Sequence, residues 1–163
     1  MITAWYLVQV PPTAPSRARN RGTQRTTGAM PRLVSNTGQS FELSELGARQ
    51  SFMLMNMRAD CEPDPTETFP VPFLTNDRLP QIIALLERTA ETGAAQYDFP
   101  PGGYMALDVL GDLGAVDAAR LLRDLRYLDA YLPERMLAER VARLGVPTEP
   151  QTSLDVWIEQ HGH

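Results

Sequence analysis

The chain has 163 residues, of which 43% are hydrophobic and 21% are charged, and its formal net charge is −5. This length is sufficient for one domain with a single hydrophobic core. A single cysteine, Cys61, excludes an intramolecular disulfide and a zinc site built from several cysteines. There is no run of about 18 apolar residues to span a membrane and no signal-peptide pattern, so we expect a soluble protein made in the cytoplasm.

Charge is divided unevenly along the chain. The first acidic residue is Glu42, and five arginines precede it, so residues 1–41 carry a formal charge of +5. The remaining 122 residues contain ten arginines and twenty acidic residues, a formal charge of −10. Opposite charge on two parts of the chain suggests that the basic part contacts the acidic part of a neighbouring copy.

Residues 2–10 (ITAWYLVQV) are rich in β-branched and aromatic residues and predict a β-strand that ends at Pro11. Apolar side chains occupy both faces of this strand, which indicates burial on both sides, in a core or in an interface. Residues 11–31 form a basic arm with almost no apolar residues. Because such a segment cannot offset its own ordering entropy, we expect it to be ordered only against another surface.

Three roles are open to this basic arm. It can be a solvated loop, it can contact nucleic acid, or it can protrude between strands and reach the next subunit. The arm has no aromatic residue to stack on bases, so nucleic acid is open to it but not favoured, and we favour the third role. The candidate partner-binding arginines are Arg17, Arg19, Arg21, Arg25 and Arg32.

Two further strands are predicted after the arm. Residues 32–34 are predicted to form a short strand, and residues 35–38 are predicted to form a turn after it. Residues 51–58 (SFMLMNMR) alternate in the manner of a second, well-defined strand. Residues 60–72 contain four prolines and are expected to form a loop or an extended edge.

Alternation in residues 51–58 places three methionines on one face of the predicted strand. A methionine face is more typical of a core than of a surface, but it also serves as an adaptable contact surface. These residues complete the candidate partner-binding set: Met53, Met55 and Met57.

From residue 76 the apolar period changes to that of α-helices. Asp77 is the predicted N-cap of a helix with Pro80 in its first turn and Gly93 at its end. Pro133 is the predicted first residue of a later helix, and Thr152 is the predicted N-cap of the last one. The helical patterns after Gly93 cover residues 104–110, 115–132, 133–145 and 152–158.

Strands therefore precede helices, which is typical of the α+β class. The predicted fold is a small antiparallel β-sheet with a long protruding arm, followed by a C-terminal bundle of three to five helices. We expect one domain over residues 1–163, with a β-rich part over residues 1–74 and a helical part over residues 75–163.

Few residues indicate chemistry. The acidic residues of segment 60–67 are read as a solvated loop, because the glycine and the closing glutamate of a calcium loop are not in register. The two histidines, His161 and His163, lie at the C-terminus and are read as part of a frayed tail. No nucleophile, zinc or phosphate-loop motif is present, so we expect no enzyme, no cofactor and no metal.

Residues 136–160 are similar to a degenerate helix-turn-helix. Pro147 and Pro150 lengthen the link between the two helices beyond that of a DNA-binding motif. The second helix carries Asp155 and Glu159 and no arginine, so it would repel phosphates. A plain helical hairpin is the favoured interpretation.

Residues 5–10 (WYLVQV), followed by a long loop of Pro, Gly and Arg, resemble the opening strand of small structural virion proteins of tailed bacteriophages. Residues 142–147 (ARLGVP), followed by the helix predicted at 152–158, are similar to the closing helix of those proteins. The resemblance implies a structural subunit of a tail, neck or capsid, located in the virion, without catalytic residues.

We therefore expect a structural virion subunit that assembles with copies of itself and with other virion proteins, through its arginine-rich arm and its strand edges. No membrane partner is expected. The alternative is a nucleic-acid-binding regulator that uses the basic arm and the degenerate helix-turn-helix at 136–160.

Overall fold

The computed structural model describes residues 30–60, 67–93 and 103–162, and within residues 103–106 it describes the backbone only. The strand predicted at residues 2–10 and most of the basic arm lie outside these ranges. So do several candidate residues, namely Arg17, Arg19, Arg21, Arg25, Cys61 and His163.

The described ranges combine a small three-stranded sheet with several helices, and the C-terminal part is helical, which confirms the predicted α+β class and its C-terminal helical region. The strands are β1 (Arg32–Val34), β2 (Ser40–Glu42) and β3 (Thr68–Pro70). The helices are α1 (Glu45–Ala48), α2 (Phe52–Asp60), α3 (Leu79–Glu91), a 3-10 helix (Gly103–Leu110), α4 (Ala115–Tyr127), α5 (Tyr131–Arg143) and α6 (Gln151–His161).

The three strands form one small sheet in the order β2-β1-β3. β1 pairs with β2 in the antiparallel direction across the predicted turn at residues 35–38, and it pairs with β3 in the parallel direction. The sheet is therefore mixed, whereas the sequence predicted an antiparallel one. Two helices, α1 and α2, lie between β2 and β3, and such a helical crossover is what parallel pairing requires. Leu33 and Phe69, at the centres of neighbouring strands, are buried in the core.

The strand predicted at residues 51–58 is wrong, because this segment forms helix α2. Ser51 acts as the N-cap of α2, since its Oγ accepts a hydrogen bond from the Leu54 N–H at 3.2 Å. Methionine, leucine and arginine have high helix propensity, and over eight residues an alternating pattern does not exclude a helix.

The N-terminus of α2 rests on the C-terminus of α4. The buried Ser51 Oγ donates to the carbonyl oxygen of Leu128 at 2.5 Å. The N–H of Phe52 donates to the carbonyl of Asp129 at 3.1 Å, and the N–H of Met53 donates to that of Leu128 at 3.4 Å. Unpaired N–H groups at the start of one helix are thus satisfied by unpaired C=O groups at the end of another.

Ser51→Ala removes both hydrogen bonds of this hydroxyl and leaves the Leu54 N–H without its capping acceptor. We expect the free energy of unfolding to fall by about 1–3 kcal/mol, the range for a lost N-cap and a lost buried hydrogen bond. Urea denaturation followed by far-UV circular dichroism measures this change. Ser40→Ala in the exposed part of β2 is the matched control, and an equal loss in both variants would contradict the role given to Ser51.

The helical part is organised around α4, which packs against both α5 and α6. The inward side of α4 is formed by Leu121, Leu122 and Leu125, which are completely buried. α3 and α5 contribute further buried side chains to the same core: Leu79, Ile82, Leu85, Leu86, Met136, Leu137 and Val141. One continuous core therefore connects the sheet with the helices.

The helix predicted over residues 115–132 ends earlier than expected. Asp129 has a left-handed backbone with φ of +50°, so α4 stops at Tyr127 and α5 begins at Tyr131 rather than at Pro133. Aspartate is one of the few non-glycine residues that tolerate this conformation. The apolar period continues through Leu128 and Leu132, and for this reason the sequence did not reveal the break.

Two predicted N-caps are also wrong. Arg78, not Asp77, occupies the N-cap position of α3, and Pro150, not Thr152, occupies that of α6; neither position makes a side-chain capping hydrogen bond. The predicted end of α3 is confirmed, because Gly93 follows the helix with φ of +68°.

Candidate interaction surfaces

The three methionines predicted to share one face are separated by the helical geometry of α2. Met53 and Met57 are four residues apart, lie on the same side and pack half-buried against the core. Met55 is rotated by about 200° from each of them and is 42% exposed. The predicted methionine contact face is therefore absent from α2, and Met55 alone of the three is substantially exposed.

Arg32 is the one candidate arm arginine within the described residues. It lies directly opposite Glu42 in the β1–β2 pair, and its Nη2 is 3.3 Å from Glu42 Oε1. Both side chains are more than half exposed, so this ion pair contributes little to stability. Arg32 directly follows the arm, and its contact with Glu42 lies within the β1–β2 pair.

An arginine-rich pocket of about 220 Å³, which sequence reasoning missed, lies between α4 and the segment before α3. Its lining residues are Thr75, Asp77, Arg78, Asp117, Arg120 and Arg123. The sequence does contain one indication of this pocket, because Asp124 interrupts the inward apolar side of α4 between Leu122 and Leu125. Burying a carboxylate in such a position costs free energy unless a cationic group pairs with it.

Asp124 is the buried carboxylate beneath this pocket, with only 4% of its side chain exposed. Its Oδ2 is 2.8 Å from Arg78 Nη1, so the two groups form a buried ion pair. Arg78 Nε donates to Thr75 Oγ1 at 3.1 Å, and Arg123 Nε lies 3.8 Å from Asp124 Oδ1. The buried charge is thus compensated incompletely.

Burial raises the pKa of Asp124 to about 6, against the lowering effect of Arg78 and Arg123, and Asp77 raises it further. When the pKa of a carboxyl is higher in the folded than in the unfolded state, its protonation stabilises the fold. This contribution is fully present at pH values below the pKa of the unfolded state. That contribution is lost as the pH rises through the folded pKa of about 6.

Asp124→Asn removes this titration and keeps the size of the side chain. Between about pH 4 and pH 7, we expect wild-type protein to lose about 2–3 kcal/mol of unfolding free energy relative to the variant. Urea denaturation at a series of pH values measures this difference. Asp117→Asn, at an exposed position of the same pocket, is the control, and parallel pH profiles for wild type and Asp124→Asn would contradict the assignment.

Arginines of this pocket form contacts between elements of the fold. Arg120 Nη2 donates to the carbonyl of Gly162 at 2.5 Å and so connects α4 with the end of α6, while its Nη1 lies 3.8 Å from Asp117. Three arginines and two aspartates line the pocket, and Asp124 lies beneath it, so its positive charge is largely balanced. We assign the pocket to the contact between α3, α4 and α6 rather than to a ligand.

A second groove, of about 380 Å³, runs along α6 and the segment that precedes it. We call it the α6 groove, and its lining residues are Pro147, Thr152, Ser153, Val156, Trp157 and Gln160. Val156 is 50% exposed, and Trp157 is partly buried with its ring stacked on His161 at a centroid distance of 4.4 Å. Leu154 and Ile158, on the other side of α6, are buried in the core.

Helices α5 and α6 are the pair in which the sequence suggested a degenerate helix-turn-helix. Residues 144–150 link them, a longer connection than the turn of about three or four residues in DNA-binding motifs. α6 presents Asp155 and Glu159 and contains no arginine. α5 and α6 each pack on α4 rather than on one another, so they form neither a helix-turn-helix nor the helical hairpin that the sequence favoured.

Within residues 30–60, 67–93 and 103–162, no three His, Cys, Asp or Glu side chains are grouped so as to hold a metal ion. None of the helices in these ranges is both long and apolar enough to cross a membrane. A comparison of the chain with models of known protein families finds no match, and a comparison with curated proteins finds none. Function is therefore inferred from the charges and surfaces of the chain itself.

Proposed function

We propose that the chain is a structural subunit of a bacteriophage virion, in the tail, neck or capsid, and that its copies assemble through the basic arm. The observation that carries the proposal is the separation of charge. Residues 1–41 hold five arginines and no acidic residue. The described ranges, which include Arg32, hold eleven arginines and seventeen acidic residues, a formal charge of −6.

Arginines of the body are already engaged with carboxylates of the body. Arg126 illustrates this, with its Nε 2.9 Å from Glu134 and its Nη2 2.6 Å from Glu149. Arg58 likewise contacts Glu45 and Glu67. The described ranges nevertheless carry six more acidic residues than arginines, a net negative charge that attracts arginines from elsewhere. Residues 11–31 contain four arginines and no acidic residue.

A contact between the arm of one copy and the body of the next would be a head-to-tail contact. A head-to-tail contact repeated around a symmetry axis closes into a ring when the rotation allows it. A single exposed ion pair contributes little, but several arginines on one arm act together. The resemblance of residues 5–10 and 142–158 to structural virion proteins supports placing this assembly in a phage particle.

Replacing Arg17, Arg19, Arg21 and Arg25 together by glutamine tests the proposal. We expect wild-type protein at low salt to form complexes larger than the 18.1-kDa chain, and we expect the glutamine variant to be monomeric. Light scattering coupled to size-exclusion chromatography measures both masses. Wild-type complexes should also dissociate as salt rises, because the Debye length falls from about 10 Å at 0.1 M to about 3 Å at 1 M.

The matched control replaces the same four arginines by lysine, which keeps the charge, and it should retain the larger mass. A wild-type protein that is monomeric at every salt concentration would contradict the proposal, as would an unchanged mass in the glutamine variant. If the monomeric wild type instead shifts duplex DNA at low salt and the glutamine variant does not, the nucleic-acid-binding alternative is supported.

A further inference from the structure

The α6 groove is an apolar surface at the C-terminal end of the described chain. Val156 is 50% exposed there beside Trp157, and Leu144, in the link that leads into the groove, is 46% exposed. Its volume of about 380 Å³ is at the lower end of the range for binding pockets. Aromatic residues such as Trp157, set in a partly enclosed surface, often dominate the energy of protein contacts.

The segment that forms this groove is acidic. Residues 144–162 contain Glu149, Asp155 and Glu159 but neither arginine nor lysine. Glu149 contacts Arg126 but remains 76% exposed, and Glu159 is exposed about one turn from Val156. The surface that a partner meets is therefore apolar at its centre and negative at its rim.

The same chain contains a segment with the complementary order of residues. Seven of the nine residues at positions 2–10 are apolar or aromatic, and four arginines follow between residues 17 and 25. An apolar stretch followed by positive charge matches an apolar groove with a negative rim. Residues 11–29 lie between this segment and Met30, and nineteen residues extend to at most about 60–70 Å. That length is sufficient to cross from one copy to the next.

We infer that the α6 groove binds residues 2–10 of a second copy, while the arginines that follow them contact the acidic rim. This inference rests on the proposed function, which supplies the second copy. It adds a defined receptor surface on the body, and it assigns the apolar residues of α6 a role that the charge separation alone does not require.

Disulfide crosslinking in the full chain tests the inference. In a Cys61→Ser background, Val8→Cys is combined with Val156→Cys, and mild oxidation is followed by non-reducing gel electrophoresis. We expect covalent dimers and larger ladders that disappear on reduction. The matched control combines Val8→Cys with Val109→Cys, because Val109 is 43% exposed and lies outside the groove; its yield should be several-fold lower.

A crosslink that forms within one chain, seen as a monomer of altered mobility, would overturn the inference, because the groove would then hold its own N-terminus. A yield no higher than that of the control would also overturn it. The wild-type mass separates the two proposals: if wild-type protein forms a salt-sensitive oligomer but the pair at positions 8 and 156 does not crosslink, the groove assignment fails alone. If the wild type is monomeric, both fail.

Fluorescence gives a second readout. Trp5→Phe leaves Trp157 as the single tryptophan, because the chain has two. Adding Val156→Arg places a positive charge in the groove, which repels the basic arm. We expect the emission of Trp157 to shift to longer wavelength and the oligomer mass to fall, whereas Val109→Arg should change neither. An unchanged emission and mass in Val156→Arg would contradict the inference.

Discussion

The contact between the start of α2 and the end of α4 joins two parts of the chain that are distant in sequence. Ser51 and Leu128, which share its central hydrogen bond, are 77 residues apart. α4 is also the helix against which α5 and α6 pack, so this junction connects α2 with the centre of the helical part. Burying the unpaired N–H and C=O groups of helix ends costs free energy. Here the N–H groups of α2 donate to the C=O groups at the end of α4, which offsets this cost.

The surface that we assign to assembly depends on the same helix. Arg126, near the end of α4, contacts Glu134 on α5 and donates to Gln151 Oε1 at the first residue of α6 at 2.7 Å. Arg120, two turns earlier, holds the other end of α6 through Gly162. Both ends of α6 are therefore fixed to α4, which keeps Val156 and Trp157 at the surface while Leu154 and Ile158 remain in the core.

Sequence patterns predicted this fold well where one face of a helix is apolar over several turns, as in α3, whose end at Gly93 is marked by a left-handed glycine. They failed at α2, because eight residues fit two periods equally and the deciding contact of Ser51 comes from Leu128. The break at Asp129 was hidden by leucines on both sides. The candidate interaction surfaces show the same contrast. The charge separation can be predicted from the sequence, whereas the α6 groove cannot, because it depends on how α6 packs against α4.

The small sheet also limits how copies can join through their backbones. Among the described strands, β3 lies at one edge of the sheet. The N–H of Val71 and the carbonyl of Glu67 point toward β1, so alternation turns the nitrogen of Pro70 outward. Proline offers no N–H there, which makes that edge a poor template for another strand. The outer side of β2 carries no such block. In the part of the chain that the structure describes, the addition of a further strand is therefore favoured at β2 over β3.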